Sequence, residues 1–457
     1  MSLSLPLTTM EEFLYWEDRP AYPWSCFARL RFSGCLDRAA FESAVRTVLV
    51  RHPMLTAKVV PDGRGRLRWS AVEDPAPAIK WESAPPGGSL PPATRLDLRS
   101  EIGIRFHVRA DEAASDLTIQ FHHACCDGAG IALFSRELLV AYAMARGIAP
   151  HRARLAPLDP RKLAGRGRYG LTLRKLIRML PQQLVGLHGA RQFLMRKPAP
   201  IIPHRACHNN SPLPKNYPAV VHHLFDREAT AGLRKAAMRQ GVTSNDLLAR
   251  DLFLALAEWR LRRNIQDDGS WLRMMIPMNL RTTEDRLLPA ANVVSSVFLD
   301  RRGPDFADPD RLLSGIHEEM DLIKRLRLGF TFIFSTAMCR WFPGGLKKQV
   351  RADKCTISCI FTNMGTPLAH VPLEHRDECI VAGDVTLEEV NIVAPLRPYS
   401  CVTILVALYA RKLSVTLHYD PRPLTDEQAN DLLETYVRRI HASIAACRKN
   451  MAPATTF

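Results

Sequence analysis

The sequence predicts a mixed α/β protein built from two layered units. Three observations carry that prediction. The chain has 457 residues, long enough at about 150 residues per domain for two or three domains. Strand-period and helix-period segments alternate in both halves, which is the pattern of layered α/β units. Between them, Pro198–Pro218 holds six prolines in 21 residues, a poor segment for regular structure and a natural crossover. The division expected is 1–200 and 201–457.

The elements follow in order. Ser25–Phe32 alternates, with Cys26, Ala28, Leu30 and Phe32 on one face, and reads as a half-buried strand. Asp37 opens a helix whose stripe is Phe41, Ala44, Val45, Val48 and Leu49, with Leu36 and Phe41 as a hydrophobic staple and Pro53 as its stop. Leu117, Ile119 and Phe121 mark a strand that runs into His122-His123-Ala-Cys-Cys-Asp127-Gly128, and a helical pattern follows through Leu133, Leu138 and Tyr142. In the second half, Asp226 caps a helix ending near Gly241, and Thr243 with Asp246 forms the capping box of the next. Strands are expected at Leu272–Pro277, Val293–Leu299 and Thr356–Thr362. A hairpin pairs Cys401–Tyr409 with Lys412–Tyr419, and the last helix opens on Thr425 and Gln428.

Composition narrows the function classes. Hydrophobic residues are 47% and charged residues 24%, which excludes a disordered or fibrous chain. Eleven cysteines in no regular framework read as reduced core thiols. The first residues lack a basic segment and meet Glu11 and Glu12, so no signal peptide is expected, and no run of 18 apolar residues suggests a membrane span. The expected location is the cytoplasm.

The formal charge is +16. Thirteen Lys and Arg against Asp159 alone fall between His151 and Arg205, so this stretch holds +12 of the excess. Within it Leu171, Leu173, Leu176, Ile177, Leu180 and Leu184 interleave with Arg174, Lys175 and Arg178. This amphipathic basic segment is expected either to dock on an anionic membrane or an acidic carrier, or to be a surface helix packed through its leucines. A nucleic-acid reading would rest on the basic stretch alone, without a reader motif, and nucleic acid is not expected as a partner.

The stretch at residues 122–128 carries the chemistry. A histidine at a strand exit can project into a cleft, where its near-neutral pKa suits it to accept and return a proton. An acid four residues on can tie down the loop or orient the ring, and a glycine after it permits a turn or a close approach. A packed histidine pair is the alternative. Zinc is disfavoured, because adjacent extended residues point to opposite faces and no Cys-x-x-Cys pair exists; no metal is expected. A cysteine nucleophile at Cys125 or Cys126 would need a separate base.

His-His-x-x-x-Asp-Gly after a strand resembles the signature of the chloramphenicol-acetyltransferase-like superfamily, which includes nonribosomal-peptide condensation domains, plant alcohol acyltransferases, polyketide-associated acyltransferases and bacterial wax ester synthases. Leu36-Asp37 through His52-Pro53 is similar to the family's early helix. Ile276-Pro-Met-Asn-Leu-Arg281 with Asn292 resembles its proline-x-asparagine-x-arginine segment, and Phe361-Thr-Asn363-Met-Gly365 its later Asn-x-Gly strand end. The resemblance implies two similar subdomains in a V-shaped pseudo-dimer with a channel between them. It implies an acyltransferase in which His123 is the general base and the donor is a thioester of coenzyme A or of a phosphopantetheine-bearing carrier protein. The acceptor is an alcohol or an amine, and no cofactor is bound permanently. A peptide-bond-forming domain, or a non-catalytic one that binds a carrier or lipid, is the alternative within the family.

The resemblance also assigns residues. Asp127 would pair with Arg281 as structural support, Gly128 would permit the tight turn, and His122 would stand beside His123 in the motif with a packing role more often than a catalytic one. Asn245, Asn292 and Asn363 are candidates for acceptor or oxyanion contacts, although Asn245 also suits a helix cap and Asn363 a turn. Two departures are visible: Ala291 stands where the family often has glycine, and the plant enzymes' Asp-Phe-Gly-Trp-Gly box is replaced by Pro395-Leu-Arg-Pro-Tyr-Ser-Cys. The Pro-Leu-Trp motif of wax ester synthases is missing as well.

Overall fold

A computed structural model describes residues 4–203, 211–265, 269–351 and 354–449. Residues 204–210 of the proline-rich segment, with Arg205, therefore lie outside the described residues. The core is organised on two large sheets. The first has seven strands, with Ser25–Ser33 and Ala114–His122 as antiparallel neighbours near its centre and Ser25 opposite His122. Cys26, Ala28, Leu30 and Phe32 do share one core face. The opposite face is buried too, so this is a central strand rather than a half-buried one. Its polar groups are paired, as a buried position demands: Arg29 with Asp116, and the Gln120 amide donating to Ser25 Oγ at 3.2 Å.

Helices Arg38–Leu49 and Gly128–Ala145 pack together on the shared hydrophobic face. Asp37 caps the first, its carboxylate accepting from the Ala40 amide at 2.7 Å. The second, of 18 residues, is the one described helix both long and apolar enough to cross a membrane, yet most of it is buried in the core.

The second sheet runs in the order Val294–Arg301, Leu272–Asn279, Cys359–Asn363, Val402–Tyr409, Lys412–Tyr419, Ala219–Leu224. Helices Arg227–Arg239, Ser244–Arg262, Pro309–Arg325 and Asp426–Lys449 contribute to its core. The predicted capping boxes at Thr243/Asp246 and Thr425/Gln428 are both formed.

The division at residue 200 does not follow the sheets. Strands Glu374–Arg376, Cys379–Ala382 and Val385–Val393 belong to the first sheet, where Val385–Val393 lies antiparallel to Ser25–Ser33. An unpaired edge at so apolar a strand would be costly, and the second half of the chain supplies the partner. Residues Ala394–Cys401 then lead back into the second sheet at Val402. Helix Leu173–Met195 likewise rests on helix Gly329–Met338, where Thr331 Oγ1 bonds Gln183 at 2.9 Å.

Candidate active site

The motif occupies the exit of strand Ala114–His122, where the chain turns into helix Gly128–Ala145. His123 and His122, adjacent on extended backbone, diverge. His123 is half-buried and lines a cavity of about 340 Å³. Its backbone amide donates to the Trp24 carbonyl at 2.8 Å, and the Trp24 ring meets the imidazole edge to face, 5.7 Å between centroids. Burial lowers the His123 pKa from the ordinary imidazole value, outweighing its own backbone hydrogen bond and the negative charge of Asp127. The ring is therefore neutral at neutral pH.

His122 is sealed. Its Nδ1 accepts from the Ala124 amide at 3.1 Å and its Nε2 stands 3.5 Å from Asp18, away from the cavity lining. The structure thus removes His122 from the reacting set: it anchors the strand exit.

Asp127 caps the motif helix and bridges the two halves of the chain. Its Oδ1 accepts from the Gly130 amide at 2.9 Å; its Oδ2 accepts from Arg281 Nη1 at 2.6 Å and from the Val293 amide at 2.8 Å. Arg281 Nη2 continues to the Ala291 carbonyl at 2.8 Å. Burial would raise the Asp127 carboxyl, but the Arg281 charge and hydrogen bond, with the two backbone amides, hold it below the usual carboxylate range.

Gly128 has a different reason from a turn. Its φ is not positive; a Cβ built there would stand 2.3 Å from Met364 Sδ. The glycine admits the strand end of the second sheet against the motif helix.

The three asparagines separate. Asn292, fully buried, donates its amide to the His123 carbonyl at 2.7 Å and lies 3.3 Å from Nδ1. It sits behind the histidine and is not part of the cavity wall, so the expected substrate contact is replaced by one to the imidazole's own residue. Asn363 lines the cavity, but its Oδ1 accepts from the Gly365 amide at 2.8 Å, the turn role. Asn245 lies off the wall and meets Asn363 at 3.4 Å.

Sequence reasoning left most of the cavity wall unassigned. Met10, Phe13 and Leu14 come from helix Thr9–Glu17, whose capping box of Thr8 and Glu11 was a legible signal. Trp24, Met275 and Ile360 complete an apolar wall. The stretch that replaces the plant box also has a place: Pro395 lines the cavity, and Arg397 makes a buried ion pair with Glu17 at 2.6 Å. Arg136, two helical turns beyond Gly128, lines the cavity too. Cys125 and Cys126 are fully buried, and burial pushes both thiols far above their ordinary pKa, which disfavours a thiolate nucleophile. No group of three His, Cys, Asp or Glu side chains among the described residues could hold a metal ion.

No protein-family model and no curated protein matches the sequence. Solved structures do match, over almost the whole chain. The first condensation domain of the CDA synthetase superposes with a TM-score of 0.70 at 16% identity, over 97% of this chain and 96% of that one. Polyketide synthase associated protein 5 from Mycobacterium tuberculosis gives 0.62 at 16%, over 98% and 100%. The starter condensation domain of rhizomide synthetase, in a complex with C8-CoA and Leu-SNAC, gives 0.65 at 13%, over 97% and 94%. What is shared at such identities is architecture: the chain has the fold of the condensation domains.

Proposed function

We propose that this chain is an acyltransferase that moves an acyl group from a thioester to an alcohol or amine, with His123 as general base. One observation carries the reading: the His123 imidazole, its residue held by Trp24 and Asn292, lines a mostly apolar cavity between the two sheets. In the reaction the imidazole takes the acceptor's proton as the acceptor oxygen or nitrogen attacks the thioester carbon. The tetrahedral oxyanion collapses, the carbon–sulfur bond breaks, and the leaving thiolate takes the proton back from the imidazolium. General-base help of this kind contributes about 10²–10⁴-fold. Asp127 and Arg281 act as structure, clamping the motif helix to the second sheet. The starter domain's complex with C8-CoA supports coenzyme A or a carrier-borne pantetheine as donor.

Incubation with a panel of acyl-CoAs, with and without alcohols and amines, should show acceptor-dependent thiol release. A folded protein that binds acyl-CoA but never releases thiol would favour the non-catalytic, carrier- or lipid-binding alternative.

The partner reading extends to lipid. Leu173, Ile177, Leu180, Leu184 and Leu187 recur at helical spacing and stand exposed, Leu173 at 74%. Arg174, Lys175 and Arg178 flank that stripe, while Met179 and Gly186 are the helix's buried positions. An apolar stripe edged with cations matches an anionic bilayer surface. Vesicles containing phosphatidylserine should sediment the protein, neutral phosphatidylcholine vesicles should not, and equal failure with both would reject this contact.

A further inference from the structure

We infer that Arg136 is an anion-binding residue of the cavity, built to hold a phosphate or carboxylate carried by one of the two substrates. This rests on the acyl-transfer reading and adds to it the charge of the ligand.

Gly128, Ala129, Ala132 and Arg136 all line the cavity and lie along one face of the motif helix. Three of the four are small, so the helix opens the space and then closes it with a guanidinium. From Gly128 to Arg136 is about 12 Å at 1.5 Å per residue, so the cation stands well along the wall from the motif turn. Its bonding is incomplete. Nη1 donates to the Ala369 carbonyl at 3.2 Å, while Nε is buried without a partner. Among the described residues no carboxylate pairs with it. The adjacent Glu137 is taken, its carboxylate held by Arg51 at 2.7 Å and His52 at 3.1 Å.

Other arginines in the same region contrast with it. Arg281 is paired with Asp127, Arg397 with Glu17 and Arg166 with Glu11. A guanidinium has five donors in a rigid fork and cannot shed its charge. The wall also carries Asp127 and Arg281, but these answer each other, so Arg136 is the cation on it without a carboxylate among the described residues, and leaving it so is costly unless an anion arrives from outside. The two substrates offer two sources: the phosphate of a pantetheine arm, or a carboxylate on the acceptor.

The test measures binding without turnover, in the His123→Ala background, by calorimetry. Ligand pairs differ only in the anion: 4′-phosphopantetheine against pantetheine, and an amino acid against its amide. A charge-assisted contact of this kind should favour one anionic member by about tenfold or more. Arg136→Gln should abolish the preference and Arg136→Lys should restore part of it, with thermal melting confirming that both variants fold. The pair that discriminates names the substrate. Equal affinities within both pairs, or a preference that survives Arg136→Gln, would overturn the assignment. A missing thiol release in the wild type with this preference intact would reject the catalytic reading and leave the anion site standing.

Discussion

The motif turn and the basic helix Leu173–Met195 treat charge in opposite ways. At the turn, Asp127 spends both carboxylate oxygens on three donors from both halves of the chain, and Arg281 donates in addition to the Ala291 carbonyl. On the helix, Arg174 and Arg178 stand in solvent with no ion partner among the described residues, beside leucines that cover nothing. The contrast teaches where this molecule stores rigidity. A charge buried between two sheets must be answered in full; a charge at the surface costs little and stays available to a partner.

The largest effect is expected at the imidazole: His123→Ala should lower thiol release by at least about 10²-fold while circular dichroism and melting temperature stay as in the wild type. Wild-type turnover in that variant would end the general-base assignment. Next comes Asp127→Asn, which leaves Arg281 partly buried without a countercharge and should destabilise by about 3–5 kcal/mol, read from denaturant melts. An unchanged midpoint would show that the bridge is dispensable.

Gly128→Ala should cost no more than about 1 kcal/mol, because the new methyl meets only the flexible tip of Met364. Met364→Ala in the same chain should recover part of it, and failure to recover would point to the backbone instead.

The pH profile sharpens the picture. The base form of His123 is the neutral one, and its pKa in the folded protein is lowered. The acid limb of the rate should therefore fall below the ordinary imidazole pKa of about 6.5; a limb above it would contradict a buried neutral ring. Asp127 is depressed in the fold, so its stabilisation is present above the unfolded carboxyl pKa of about 3.9 and is lost as pH falls through the lower folded value. The smallest expected effect lies on the helix: Ile177→Asp with Leu184→Asp should change stability by no more than about 0.5 kcal/mol while removing any vesicle binding.

Much of the site was legible because it is local. The strand, turn and helix around His123, the caps at Asp37 and Thr243, and the pairing of Asp127 with Arg281 all follow from short spacings or from the resemblance those spacings carry. Gly128 was legible as a glycine but not in its reason, since the crowding atom is Met364, 236 positions away in sequence. Asn292 was legible as a candidate, but nothing in its neighbours says that its amide turns to the His123 carbonyl.

The sequence by itself determined the periodic elements, the basic stretch and the identity of the residue pair at 122 and 123. Periodicity and capping act within a few residues, so a chain read alone displays them. Only the tertiary structure decided that Val385–Val393 joins the first sheet, that Glu17 answers Arg397, that one histidine lines the cavity while its neighbour is sealed, and that Arg136 has no carboxylate partner among the described residues. Those outcomes depend on which distant groups meet in a medium without water, where each buried polar atom either finds a partner from elsewhere in the chain or waits for a ligand.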